Sequence, residues 1–167
     1  MIRIDPTHCG AMNRLAPILD VGDVAVDASA PDKSTLFEGA AAILARHAGA
    51  GSSTTIAEAL AARERLASTA LGHGVAIPHG RIKGLELPCA AVIRLREPLP
   101  FGAPDEQPTS LFVFLLVTER ASQDDLDTLA EIASMLSERP VREQLMRAQD
   151  ARALHATIAD WSPNRSV

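Results

Sequence analysis

The sequence predicts a single-domain α/β sandwich, with a central mixed β-sheet flanked by helices. Three observations carry that expectation. Short apolar stretches alternate along the chain with longer ones whose apolar residues recur at helical spacing. The run Leu111 to Val117 is continuously apolar, the pattern of a strand covered on both faces. The chain has 167 residues, 47% of them hydrophobic and 22% charged, enough for one domain with a core of its own. Interleaved strands and helices then pack as helical layers against one sheet.

Residues 1–11 precede a second methionine, Met12, and read as a disordered extension or an upstream start. The domain is expected over residues 12–161, followed by a tail over 162–167. Leu15 to Leu19 is a short apolar element. Val24-Ala25-Val26 is a brief strand, ended by the polar and proline residues from Asp27 to Pro31. A helix should open near Asp32 or Ser34, with Ser34 as its cap and Glu38 in its first turn. Leu36, Phe37, Ala40, Ala41, Ile43 and Leu44 form its apolar face, and Gly49-Ala50-Gly51 stops it. A second helix follows from Ser53 or Thr54 to Leu66, with Ile56, Leu60 and Ala61 inward. Arg63 and Arg65 lie in its final turn, where cations complement the helix dipole.

Val75-Ala76-Ile77 reads as a short strand, followed by strands over Ala90 to Leu95 and Leu111 to Val117. The intervening Glu97 to Pro108 holds four prolines and reads as a surface connection, with room for a short hairpin. Ser122 or Gln123 opens a long helix that turns Leu126, Leu129, Ala130, Ile132, Ala133 and Leu136 inward. Pro140 marks a break. Val141 to Met146 and Ala151 to Trp161 supply the closing helices. No internal repeat or low-complexity segment interrupts this order.

Composition narrows the function. The net charge is −5 and the Lys/Arg residues are scattered, which argues against nucleic acid as the main ligand. Tyr is absent, Trp161 is the single tryptophan and there are four Phe, so stacking platforms for bases are lacking too. The cysteines, Cys9 and Cys89, form neither a disulfide framework nor a metal-ligand spacing. No metal or cofactor is therefore expected, and the cytoplasm is the natural compartment. The longest apolar runs are far too short to span a bilayer, and the polar residues Arg3, Asp5, Thr7 and His8 exclude a continuous signal-peptide core.

The segment Gly72-His73-Gly74-Val75-Ala76-Ile77-Pro78-His79-Gly80 is the most informative for chemistry. Pro78 fixes its own φ and pushes Ile77 into an extended conformation. His79 then stands at a strand end, and Gly80 is expected to leave the space beyond it open for another molecule. Neutral imidazole is a competent nucleophile near pH 7, so covalent chemistry on the ring is one reading. A histidine that merely packs is the other. His73, between two glycines, reads as an exposed rim residue, because no further ligands stand at a zinc spacing.

From Arg63 the chain runs Arg-Glu-Arg-Leu-Ala-Ser-Thr-Ala-Leu-Gly-His-Gly-Val-Ala-Ile-Pro-His-Gly-Arg. This resembles the signature of the fructose/mannitol-type enzyme IIA domains of the bacterial phosphoenolpyruvate:sugar phosphotransferase system, and most closely their nitrogen-regulatory branch. The resemblance continues through Pro98-Leu99-Pro100-Phe101, Asp105-Glu106-Gln107-Pro108, Leu111 to Val117 and Asp125-Leu126 through Leu136, covering about Met12 to Trp161. It implies the enzyme IIA fold, His79 as the phosphorylated residue and Arg63 as the arginine beside the phosphoryl group. It also implies phosphorylation on Nε2, with Nδ1 tied to another acceptor.

Reversible phosphoryl transfer needs a nucleophile, cationic or N–H donors for the phosphoryl oxygens, and an open approach. Ser68 and Thr69 could donate hydrogen bonds there or serve the turn; Arg65 is a weaker candidate that reads as solvated surface. Where the family usually has a second histidine, this chain has Asp125 within Ser122-Gln123-Asp124-Asp125-Leu126. A carboxylate ~5 Å from a phosphoryl charge costs about 3 kcal/mol at an effective dielectric of ~20. Asp125 could repel the phosphoryl group, orient the His79 ring, or cap the helix together with Asp124.

The resemblance leads to a phosphocarrier with a regulatory output. His79 would take phosphate from an HPr-like protein, and its phosphorylation state would control partners such as potassium transporters or sensor kinases. No membrane-spanning segment or partner-type cysteine motif is visible, which favours that branch. The alternatives are a sugar-transport enzyme IIA that passes phosphate to a IIB domain, and a binding module that has lost phosphorylation. Whether the protein is an enzyme in the ordinary sense stays open.

Overall fold

The computed structural model describes residues 13–47 and 49–163. The expected extension over 1–11, Met12 and most of the tail lie outside the described residues. Its elements are β1 (Val24–Ala28), α1 (Lys33–Leu44), α2 (Ser53–Leu66), β2 (Ala70–Gly72), β3 (Val75–Ala76), β4 (His79–Ile82), β5 (Cys89–Leu99), β6 (Thr109–Thr118), α3 (Gln123–Ser137), α4 (Arg139–Arg147) and α5 (Ala151–Asp160). Single 3₁₀ turns at Ala16–Ile18 and Val21–Asp23 lead into β1.

The strands form one mixed sheet of order β1-β5-β6-β3-β2, with β4 also paired to β6. β5 and β6 make its antiparallel spine, while β1 joins β5 and both β3 and β4 join β6 in parallel. β6 is buried along nearly its whole length, as its unbroken apolar run requires. Its side chains alternate between two cores. Phe112, Phe114 and Leu116 face α1 and α2, where they meet Leu36, Phe37, Leu44, Ile56 and Leu60. Leu111, Val113, Leu115 and Val117 face α3, α4 and α5, where they meet Ile132, Leu136, Leu145, Leu154 and Ile158.

β3 and β4 are two halves of one path along β6. Ala76 pairs with Phe112 and His79 with Leu115, so the register runs on without a slip. Ile77 and Pro78 lie between them, where Pro78 has no N–H for the ladder, yet Pro78 O still accepts from Leu115 N at 3.0 Å. On its other edge, Ile77 N donates to Thr69 O at 3.1 Å.

Several sequence expectations need correction. Asp32, not Ser34, caps α1: its Oδ1 accepts from Thr35 N at 2.7 Å. The helix ends at Leu44, before the glycines, and just beyond it Arg46 Nη2 and His47 Nε2 both meet buried Asp23 Oδ1 at 3.1 Å. Residues Glu97 to Leu99 belong to β5 and Leu99 pairs with Thr109. Pro98 is tolerated because it lies past Leu95, the last β5 residue paired with β1, where that edge of β5 is free. Phe101, placed by sequence in a surface connection, is buried against Phe37 and Phe112. In α3, Leu126 and Ala130 point outward, and Met135 takes an inward place.

Candidate functional site

His79 opens β4 rather than closing a strand, and backbone alternation sets its direction. It pairs with Leu115, which faces the α3 side, whereas Gly80 pairs with Leu116, which faces the α2 side. Gly80 therefore does not clear space for a partner. A Cβ built there would meet Ala59 of α2 at 3.6 Å, so the missing side chain lets α2 seat closely on β4. The approach to His79 is set by the other face, on which Arg81 follows it.

The ring is half-buried, and its Nδ1 lies 2.8 Å from Ile77 O. A carbonyl only accepts, so Nδ1 carries the proton and Nε2 the lone pair. Nothing among the described residues hydrogen-bonds to Nε2. Burial lowers the His79 pKa from its ordinary value, the Ile77 hydrogen bond opposes that, and Arg63, then Glu64 and Arg81, act at longer range. The arginines lower the value and Glu64 raises it. At neutral pH the ring is a neutral nucleophile facing cationic charge, the arrangement suited to receiving an anion.

Arg63 reaches this site from the last turn of α2, where its Nη1 also donates to Ala67 O at 3.0 Å. Glu64, beside it, is buried and receives Thr69 N at 3.1 Å and Thr69 Oγ1 at 2.7 Å. Ser68 Oγ donates to Phe101 O at 2.6 Å and accepts from Ala70 N at 3.2 Å. The hydrogen of each hydroxyl is thus spent on an acceptor within the protein, the Phe101 carbonyl for Ser68 and the Glu64 carboxylate for Thr69. Arg65 lines a groove of about 790 Å³ between α1 and α2. That groove contains no histidine.

Asp125 does not touch the His79 ring, whose Nδ1 belongs to Ile77. It stands at the third position of α3 in a capping box: Ser122 Oγ accepts from Asp125 N at 3.2 Å, and Asp125 Oδ2 accepts from Ser122 N at 3.3 Å. Asp124, expected to share that work, instead meets Arg14 at 3.3 Å. Asp125 Oδ2 also pairs with Arg81 Nη1 at 3.2 Å. The premise of a lone, uncompensated carboxylate is therefore not met. Arg81 is the site residue to which the sequence reading gave no role. The signal was the two-residue alternation of a strand, hidden because His-Gly-Arg-Ile does not look like one.

His73 is exposed, with φ at 54° and its N–H donated to Asp105 Oδ2 at 2.8 Å. The structure places it in the β2–β3 turn, apart from the groups that act on His79.

Comparison with known proteins follows the same line. Residues 17–161 match the family model described as phosphoenolpyruvate-dependent sugar phosphotransferase system, EIIA 2. A nitrogen regulatory protein of Pseudomonas aeruginosa is 40% identical over 149 residues, covering 89% of this chain and 97% of that one. The crystal structure of nitrogen regulatory protein IIA-Ntr from Neisseria meningitidis superposes with a TM-score of 0.81 at 40% identity, over 86% of this chain and 97% of that chain. The mannitol enzyme IIA of Escherichia coli, solved in complex with phosphorylated mannitol enzyme IIB, shares the fold with a TM-score of 0.70 at 17% identity, over 84% of this chain and 96% of that chain.

Proposed function

The chain belongs to the EIIA 2 family of the phosphoenolpyruvate-dependent sugar phosphotransferase system, and on that premise we propose that it is a regulatory phosphocarrier acting in the cytoplasm. His79 accepts a phosphoryl group from an HPr-like protein, and its phosphorylation state selects partner proteins. The observation that carries this reading is the His79 ring itself: Nδ1 held by Ile77 O at 2.8 Å, Nε2 free among the described residues, and Arg63 and Arg81 acting on it.

The Nε2 lone pair attacks phosphorus while the bond from phosphorus to the donor breaks, its electron pair leaving with the donor. The ring gains positive character, which the hydrogen bond from Nδ1 to Ile77 O helps to hold. Arg63 and Arg81 offset the charge on the phosphoryl oxygens, as phosphoryl transfer demands. Return of the group reverses each step. Exposed Leu66, just past Arg63, and Leu126, beside Asp125, offer apolar surface to a docking protein.

Likeness to nitrogen regulatory proteins at 40% identity favours a regulatory output, with potassium transporters and sensor kinases as the partner classes. Among the described residues no helix is long and apolar enough to cross a membrane. Delivery of phosphate to a separate IIB domain is the second reading, supported by the mannitol enzyme IIA found with its phosphorylated IIB. A binding module without phosphorylation is least favoured, since the pairing of Asp125 with Arg81 removes the charge conflict on which it rests.

Incubation with phosphoenolpyruvate, enzyme I and an HPr-type carrier tests the proposal. One acid-labile phosphate is expected on His79, and His79→Ala should abolish it with the circular dichroism melt preserved. Label that persists in that variant, or that maps to His73, would sink the assignment.

A further inference from the structure

Two residues beyond His79 on the same face of β4, Arg81 is fixed by contacts that leave part of its guanidinium free. Nη1 donates to Thr118 O at 3.0 Å and to Asp125 Oδ2 at 3.2 Å. Nε and Nη2 have no partner among the described residues, so several of the five N–H donors of the group remain unused. The anchors are firm. Thr118 ends β6 in register with Ile82 of β4. Asp125 is 5% exposed and locked by the capping box at the start of α3. An arginine side chain is otherwise costly to order, and here that ordering is done before any ligand arrives.

Charge placement gives the arrangement a direction. Arg81 acts on the His79 ring, whereas Asp125, though it touches Arg81, is not among the groups that do. Arg81 and His79 share one face of β4, and the acid holds Arg81 through Nη1.

We propose that Arg81 is a second phosphoryl-stabilising residue of this site and that Asp125 is the positioning residue that aims it. This rests on His79 being the phosphorylated residue. Arg81 offers its free N–H groups to oxygens of the group on Nε2. Asp125 sets the guanidinium plane and offsets only the portion of charge turned away from the ring. The acid thus favours the phosphorylated state through the arginine it holds.

The test loads His79 in two ways, by the phosphoenolpyruvate-driven relay and chemically with phosphoramidate. In the chemical route Nε2 attacks phosphorus, the P–N bond of the reagent breaks and ammonia leaves with the proton. Arg81→Gln should slow relay transfer and shorten the lifetime of phospho-His79 by about three- to tenfold, the scale of one screened charge contact. Arg81→Lys should recover part of the loss. Asp125→Asn, which keeps a capping acceptor, should act in the same direction but less. The double variant should be no worse than Arg81→Gln alone, as expected for residues that work as a unit. A purely structural role would move the melting temperature and leave the lifetime of the chemically loaded protein unchanged. Wild-type behaviour in Arg81→Gln overturns the proposal. So does a longer lifetime in Asp125→Asn, which would mean that the acid repels the phosphoryl group directly. If the relay loads no variant but the lifetimes still follow Arg81, the relay reading fails and this one stands.

Discussion

Arg63 has one contact in the fold and one proposed task at the site, and mutation can separate them. Its Nη1 closes the last turn of α2 on Ala67 O at 3.0 Å, and its charge acts on His79. A net hydrogen bond near the surface is worth about 0.5–1 kcal/mol, so Arg63→Ala should lower the melting temperature only slightly. The proposed phosphoryl contact should count for more, about 10²–10³-fold in transfer rate for the loss of one preorganised donor. Rapid-quench transfer from a phosphorylated HPr-type carrier, set beside a thermal melt, measures both effects. An unchanged transfer rate would remove Arg63 from the site. At this scale the sequence shows His79 and Arg63 within one contiguous motif. The surroundings were less legible. The sequence shows the Asp125 carboxylate but not the Arg81 guanidinium against it, since that contact spans 44 residues. Likewise it shows the hydroxyls of Ser68 and Thr69, but not the Phe101 carbonyl and Glu64 carboxylate that consume their hydrogens.

The pairing of α2 with β4 brings the last turn of one element to the first residue of the other. Its narrowest point is Gly80, where an added Cβ would touch the Ala59 backbone and Cβ at 3.6 Å. That distance is ordinary contact, so Gly80→Ala should fold and accept phosphate nearly as wild type does. Gly80→Leu has no such room. It should force α2 outward, costing about 1–3 kcal/mol as overpacking does, and should carry Arg63 away from His79. Urea denaturation and transfer rates check the pair. If Gly80→Leu kept both stability and rate, α2 would not depend on this seat. Long elements were easy to read from sequence: β6 through its unbroken apolar run, and α2 and α3 through helical spacing. Short ones were not. β2 offers only Ala70-Leu71-Gly72, and β4 holds one apolar residue beyond its glycine, because its pairing with β6 stabilises it more than its composition does.

The whole molecule is two cores on opposite faces of one sheet, and its stability depends on closing the ends of the chain around them. Asn13, the first described residue, does this on the α3–α5 side. Its Nδ2 donates to Ile158 O at 2.9 Å and to Trp161 O at 2.7 Å, and its Oδ1 accepts from Ala16 N at 2.8 Å. No pattern in the sequence marks it, since its partners lie up to 148 residues away. With 2% exposure, water cannot readily replace these bonds. Asn13→Ala takes the side-chain donor from Trp161 O and the acceptor from Ala16 N, while Ile158 O keeps its bond from Trp161 N; the loss is about 1–3 kcal/mol, or about 2–4 °C of melting temperature per kcal/mol for a chain of this size. Asn13→Asp should be worse, although it is nearly the same shape. It exchanges the amide donor for a carboxylate that faces carbonyl oxygens at the C-terminal end of α5, where the helix dipole is also negative. Both variants should still accept phosphate at the wild-type rate when measured well below their melting temperatures, because none of the Asn13 bonds reaches His79, Arg63 or Arg81. Thermal melts of the three proteins, with labelling at low temperature, decide the matter. An aspartate variant as stable as the wild type would show that this end of the domain is open to water.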